Sequence, residues 1–229
     1  MANAEHVELL KSGLEAVKAW QQQRWNPGPL DLSGANLRGV ILGEQILDTD
    51  GWGLWLSRAN LRGADLSHSD LSVANLSRAN LRGADLEGAK LIVVNLTFAD
   101  LTGANLTGAN LRAANFSDAN LMGSCLARTN LTRATLRRAK VSKADLSGAD
   151  LRNAKFWRAD LRGANLRGAK YRGADFTGAR LNGAEGLTLP LPKGAVVPDV
   201  ETLPRVTAEP GPDSGTLPTA AEKSQEQGS

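Results

Sequence analysis

The sequence lacks the features of a disulfide-rich or membrane-spanning protein. Its 229 residues contain one cysteine, Cys125, which excludes a disulfide framework and a cysteine-based metal site. No apolar run approaches the ~20 residues that span a bilayer. The first ten residues have neither the basic region nor the apolar region of a secretory signal. We therefore expect a cytoplasmic protein with no membrane partner.

Aromatic residues are also scarce. Five Trp, one Tyr and four Phe make up 4% of the chain, so any core must be built from small and aliphatic side chains. Four of the five Trp lie before residue 56, outside the regular part of the sequence described next.

A five-residue repeat runs without insertion from Leu56 to Leu181. Of its 26 central positions, 21 hold leucine; alanine stands two residues earlier in 21 of them, and asparagine or aspartate lies between the two in 18. Residues two apart face the same side of an extended chain, so alanine and leucine point inward and the Asn/Asp position points outward. The inward–outward alternation of side chains starts again after two further residues, which requires the chain to turn a corner there. Because a period of five does not keep one face of an α-helix, the repeat predicts a β-helix.

Charged residues predict the size of one coil. Five basic residues replace the usual Asn or Asp, namely Lys90, Lys140, Lys155, Lys170 and Arg180. A coil of four repeats places an aspartate 20 residues from each of them, where stacked opposite charges are favourable. A coil of three repeats gives only Lys170 an acidic neighbour. The charges therefore favour four-sided coils.

The pattern A-(D/N)-L-x-x over residues 31–185 resembles the pentapeptide-repeat family. This resemblance implies an all-β fold, a right-handed quadrilateral β-helix solenoid, and no enzymatic activity. It also implies a class of partner, since some members of the family bind DNA gyrase or topoisomerase IV and protect it from poisons by imitating DNA.

Three segments are expected. Apolar residues at helical spacing (Val7, Leu10, Leu14 and Val17) predict a helix over about 4–24 that caps the solenoid end. The segments are residues 1–30, the capping helix and linker; residues 31–186, the β-helix, with a frame break near 48–55; and residues 187–229, an end-covering segment with Leu187, Leu189 and Leu191 followed by a disordered tail rich in Pro, Gly and Ser.

The sequence singles out three groups of residues. An apolar corner and, separately, a loop in the frame break are candidate interaction surfaces: the corner holds Val73, Ile92, Val93 and Phe98, and the loop holds Trp52 and Trp55. A basic half, residues 127–180 with net charge +10, supplies a candidate face for an anionic partner: Arg137, Arg138, Arg152, Arg158 and Arg172. In the four-sided register Arg138 stacks on Arg158 and Arg152 on Arg172, which places like charges together. The structural core is expected at Leu61, Leu81, Leu101, Leu121, Phe156 and Phe176.

Catalysis, metals and cofactors are not expected. The run Ser67-His68-Ser69-Asp70 superficially resembles a catalytic triad, but consecutive residues of a β-coil face different ways. We therefore expect a monomeric, non-enzymatic scaffold that binds another protein. Two alternatives stay open: binding of a type II DNA topoisomerase with resistance to its poisons, and nucleic-acid binding through the basic half, although an acidic surface would suit a DNA mimic better.

Overall fold

The structure is a computed structural model that describes residues 2–13, 16–17, 19–20, 30–41, 56–188 and 193–194. Several predicted features lie outside these residues: the frame break with Trp52 and Trp55, the leucines Leu189 and Leu191, and the tail predicted to be disordered.

The described repeats form a parallel stack of coils. From Asn60 to Asn165, each residue at the Asn/Asp position pairs in parallel with the residue 20 positions later, as Asn60 does with Asn80. Each coil therefore holds 20 residues and has four faces, as the stacked charges predict. We number the faces 1 to 4 after Asn60, Asp65, Asp70 and Asn75, and each face includes every twentieth residue beyond these. A corner is named after the two faces that it joins.

Each face contributes a single paired residue rather than an extended strand, because a turn follows at once. In the turn after Leu56, the Ala59 N–H donates to the Leu56 carbonyl oxygen at 3.0 Å, and Arg58 adopts φ 62°. The Asn/Asp side chains stabilise these turns, as when Asn75 Oδ1 accepts the Ser77 N–H at 3.0 Å. This bond explains why short amide and carboxylate side chains recur at that position.

The core is one continuous column of side chains. Four leucines predicted for the core, Leu61, Leu81, Leu101 and Leu121, lie one above another behind face 1 and are fully buried. Behind face 4, Phe156 and Phe176 are also fully buried, and their rings stack with centroids 4.7 Å apart and an interplanar angle of 6°. Parallel stacking of this kind follows from the equal 20-residue spacing of the coils.

The N-terminal helix α1 spans Ala4–Lys11 and is shorter than predicted. Ser12 caps it and Gly13 has φ +92°, a left-handed conformation that interrupts the helix expected to continue to about residue 24. The described residues beyond this break, 16–17 and 19–20, are helical again, and Val17 is fully buried. The helix lies against the first coil: the Asn3 N–H donates to the Asp31 carbonyl oxygen, and His6 Nδ1 accepts the Asp31 N–H at 3.0 Å. Leu10 is fully buried in the same core as the coils.

The first coil contains more residues than the others. Asp31, Asn36 and Ile41 pair with residues 29 positions later, nine more than the usual 20. The Leu56 N–H already donates to the Asn75 carbonyl oxygen in the regular register. The nine additional residues therefore fall between Ile41 and Leu56, at the junction of faces 3 and 4.

The last coil is closed by residues 186–188. Leu187 is fully buried, and the Thr188 N–H donates to the Tyr171 hydroxyl oxygen at 3.0 Å. Gly186 makes this approach possible, because a Cβ there would lie 2.3 Å from the Arg167 nitrogen. Within the described residues, no helix is long and apolar enough to cross a membrane.

Candidate functional site

Two strained valines form an exposed apolar edge on the 3–4 corner. Val73 and Val93 occupy the same turn position in consecutive coils and are 42% and 52% exposed. Their φ angles are +62° and +58°. The left-handed region is unfavourable for L-residues and especially so for β-branched ones. These two residues therefore carry the conformational cost of a left-handed backbone although about half of each side chain is exposed.

Ile92 and Phe98 extend the apolar surface. Ile92 precedes Val93 in the same turn and is half-buried. Phe98 lies one corner further along the same coil, at the 4–1 corner, and is 53% exposed with φ +60°. The Arg78 guanidinium, one coil earlier, lies 5.0 Å from the centroid of the Phe98 ring. The ring is therefore partly engaged by a cation, whereas the two valines are not.

The described residues on either side of the frame break lie one coil before this edge. Ile41 pairs with Asp70 on face 3, and the Leu56 N–H donates to the Asn75 carbonyl oxygen on face 4. Ile41, the last residue described before the insertion, is 59% exposed. Sequence reasoning did not single out Ile41, although an isoleucine where Asn or Asp is usual indicates an exposed apolar residue. Trp52 and Trp55 belong to the inserted segment and lie outside the described residues.

The predicted basic residues also flank face 4. Arg137, Arg138 and Arg158 lie on the 4–1 corner, and Arg152 and Arg172 lie on the 3–4 corner. Face 4 itself contributes Lys155 between the two corners. The apolar edge and these five arginines therefore lie on the same side of the β-helix, the edge in earlier coils and the arginines in later ones. Other basic residues of 127–180 lie on the remaining faces and corners, such as Lys140 on face 1 and Lys170 on face 3.

The like-charge stacks predicted from the sequence are relieved by carboxylates. Arg138 donates hydrogen bonds of 2.7 Å and 2.8 Å to Asp118, one coil earlier on the same corner. Its guanidinium also holds the pKa of the Asp118 carboxyl below its usual value. Arg152 forms a forked pair with Asp150, two residues before it. Arg138 therefore lies between Asp118, one coil before it, and Arg158, one coil after it, and its guanidinium pairs with the carboxylate.

Trp157 lies between two arginines on the 4–1 corner. The Arg158 guanidinium carbon is 4.3 Å from the Trp157 ring centroid, and that of Arg137 is 4.8 Å away. These contacts order two cations that have no carboxylate partner. Within residues 127–180, five cations along face 4 and its corners have no acidic group within 4.0 Å: Arg133, Arg137, Lys155, Arg158 and Arg172. We call these five residues and Trp157 the basic strip.

The serines beside His68 are engaged elsewhere. The buried Ser69 hydroxyl donates to the Leu66 carbonyl oxygen at 2.6 Å, and the Ser67 hydroxyl donates to Asp65 at 2.6 Å. Neither hydroxyl is placed for activation by the imidazole. Among the described residues, no group of three or more His, Cys, Asp or Glu side chains is positioned to hold a metal ion.

Four-faced coils stacked on an aliphatic core define a β-helical solenoid, a class built to present surfaces. The family model "Pentapeptide repeats" matches the chain in eight copies, over residues 56–91, 94–128, 129–168 and 159–185, more than half of its length. The chain belongs to the pentapeptide-repeat family. Proteins of this family are generally structural or scaffold proteins.

Solved structures of other members are similar to the chain. HetL from Nostoc sp. strain PCC 7120, a protein involved in regulating heterocyst differentiation, is 35% identical; the match covers 73% of this chain and 85% of HetL, with a TM-score of 0.24. A variant of QnrB1, a plasmid-mediated fluoroquinolone resistance protein, is 17% identical over 74% of this chain and 86% of QnrB1, with a TM-score of 0.40. Rfr23 from Cyanothece 51142 is 24% identical over 74% and 88%, with a TM-score of 0.24. No curated protein matches the chain.

Proposed function

We propose that the protein is a non-enzymatic scaffold that binds another protein through the apolar edge at the 3–4 corner. The observation that carries this proposal is the pair Val73 and Val93, β-branched residues held exposed at φ +62° and +58°. Strain of this kind persists where function requires the side chain. Packing does not require valine at these two positions, since glycine or a polar residue occupies most equivalent turn positions.

The chain itself supplies the substitution that tests this proposal. Asn153 occupies the same corner position as the two valines, three coils after Val93, and adopts φ +58°. Asparagine tolerates the left-handed region better than valine does. The double variant Val73→Asn/Val93→Asn should therefore fold at least as well as the native chain while losing the apolar edge.

Affinity capture first identifies a partner. The dissociation constant of the complex is then measured with the purified partner. We expect the double variant to weaken the dissociation constant of that complex at least tenfold. Met122, which is exposed on the 1–2 corner, provides the matched control: Met122→Asn removes an equally exposed apolar side chain and should leave the affinity unchanged. Equal affinity of the double variant and the native chain would refute the proposal. If the captured partner is a second copy of the chain, the same comparison applies to its self-association.

Binding to DNA gyrase or topoisomerase IV is a finer hypothesis about the partner. The QnrB1 likeness is too low in identity to carry it, and the charges count against a DNA mimic because residues 127–180 have net charge +10. Addition of the purified protein to a supercoiling assay poisoned by a fluoroquinolone tests the hypothesis; no rescue at micromolar excess would refute it.

The basic strip favours a second candidate function, binding of an anionic partner such as nucleic acid. Its five unpaired cations lie on one side of the molecule, and two of them are ordered by Trp157. Affinity for duplex DNA should fall steeply with salt if phosphates are neutralised. Salt-independent binding, or none at low salt, would exclude this function.

A further inference from the structure

We propose that the basic strip is occupied in cis by the acidic C-terminal segment, residues 195–229 of the same chain. This proposal is independent of the apolar edge. It commits to an intramolecular acidic segment as the occupant, so that an external polyanion must compete with the chain's own carboxylates.

The chain leaves the described structure beside the strip. Lys193 pairs in parallel with Asp175, and the Phe176 N–H donates to the Lys193 carbonyl oxygen at 2.7 Å. Asp175 belongs to face 4, the same face that carries Lys155 one coil earlier. Residue 195 therefore follows directly from the end of the face along which the basic strip runs.

The acidic residues are close enough to reach the strip. Lys193 lies two coils beyond Lys155 on face 4, or about 10 Å at the usual spacing of neighbouring chains. Arg137 lies about one coil further, at roughly 14 Å. Asp199, the first acidic residue of the segment, is five residues beyond Gly194, and five extended residues span about 17 Å. Asp199 can therefore reach Lys155 and Arg158 without disturbing the last coil.

The charges of the two partners are complementary. Residues 195–229 carry six acidic and two basic side chains, a net charge of −4. The acidic residues are Asp199, Glu201, Glu209, Asp213, Glu222 and Glu226. The strip offers five cations without a carboxylate partner in the described structure, whereas Arg138 and Arg152 are already paired. A tethered segment faces the strip at roughly millimolar effective concentration, so even weak ion pairs are populated.

Zero-length carbodiimide cross-linking of the full chain tests the contact. This reagent joins a lysine amine to a carboxylate only when the two touch. We expect a cross-link between Lys155 and Asp199 or Glu201, at least fivefold more abundant than cross-links from the tail to Lys140 or Lys143. These control lysines are exposed in the same coil as Lys155 but lie on face 1 and on the 1–2 corner.

Two further measurements make the test decisive. The reversal Arg137→Glu/Arg158→Glu should reduce the Lys155 cross-link at least fivefold, whereas the control reversal Arg128→Glu/Lys140→Glu, away from face 4, should leave it unchanged. An equal mixture of ¹⁴N- and ¹⁵N-labelled chains should give cross-links within one label only. Similar yields at Lys155, Lys140 and Lys143, no cross-link at Lys155, or mixed-label products would each overturn the proposal.

Competition provides a readout that does not depend on cross-linking. In the full chain, the substitutions Asp199→Asn, Glu201→Gln, Glu209→Gln and Asp213→Asn remove four negative charges without shortening the tail. We expect poly-glutamate, used as the probe, to bind this variant roughly tenfold more tightly than the native chain, since a tethered competitor is removed. Unchanged affinity would overturn the proposal, and neither outcome depends on Val73 or Val93.

Discussion

At the residue scale, the fold depends on what each turn position tolerates. The second turn residue has a positive φ in every coil, and it is glycine at some corners but valine, arginine, phenylalanine or histidine at others. Where glycine is present with open space around it, the position only needs a left-handed backbone. Where the backbone of a neighbouring coil approaches, glycine is needed for space as well.

Gly186 and Gly103 separate these two requirements. A Cβ at Gly186 would meet the Arg167 backbone nitrogen at 2.3 Å, whereas nothing lies within 4 Å of one at Gly103. Gly186→Ala should lower the free energy of unfolding by about 3 kcal/mol, because both strain and a backbone clash are introduced. Gly103→Ala should cost only about 1 kcal/mol, the cost of the left-handed conformation. Urea unfolding of both variants measures the difference; equal costs would contradict this account of the last coil.

The aspartates of the turns make stability depend on acid pH. Hydrogen bonds from the Ser67 hydroxyl and backbone N–H lower the pKa of Asp65. Because its folded-state pKa is below the unfolded value, the stabilisation is complete above about pH 4 and is lost as the pH falls through the folded-state pKa.

Asp65→Asn isolates this contribution. Asparagine keeps an acceptor for the Ser67 N–H but carries no charge, so at pH 7 the variant should be less stable by about 1 kcal/mol. We expect the difference from the native chain to shrink towards zero between pH 4 and pH 2, as followed by urea midpoints. A difference that stays constant over this range would show that the carboxylate charge does not stabilise the turn.

At the scale of elements, the register of the coils could be predicted and the ends could not. The leucine spacing recurs in every coil, and the charges at Lys90 and Arg180 each stand 20 residues from an aspartate. The parallel pairs 20 residues apart agree with the register that these patterns predict. The break after α1 depends on one residue, Gly13, whose φ of +92° interrupts the helical backbone before residues 16–17 and 19–20 are helical again. The strained φ of Val73 and Val93 also escaped prediction, since the repeat pattern shows which residues face outward but not which backbone region they occupy.

The attachment of α1 is tested at His6. Its Nδ1 accepts a hydrogen bond from the Asp31 N–H, which lies at the open end of the first coil, where no earlier coil supplies an acceptor. His6→Ala should cost about 1 kcal/mol and speed hydrogen exchange of the Asp31 amide, because that donor loses its acceptor. His68→Ala, at an exposed turn, should change neither by a measurable amount. Unchanged exchange at Asp31 in His6→Ala would show that the His6 hydrogen bond does not protect this amide.

At the scale of the whole molecule, one side of the β-helix differs from the other three. Face 4 and its two corners carry the apolar edge in the first half and the basic strip in the second. The net charge of +3 hides this arrangement, because a segment of +10 is balanced by acidic ends. The structure adds that carboxylates pair with five arginines of this segment, whereas the five cations of the basic strip have no such partner. The paired arginines are Arg138, Arg152, Arg162, Arg167 and Arg180.

The central claim is that Val73 and Val93 are exposed for binding and weaken the fold. The unfolding free energy of the double variant Val73→Asn/Val93→Asn, measured in urea beside the native chain, tests it most directly. Relief of left-handed strain in two β-branched residues outweighs the loss of their half-buried methyl groups, so we expect stability to rise by about 0.5–1 kcal/mol per site. A fall of more than about 1 kcal/mol per site, the cost of losing packed methylenes, would show that the valines are part of the core and contradict the account.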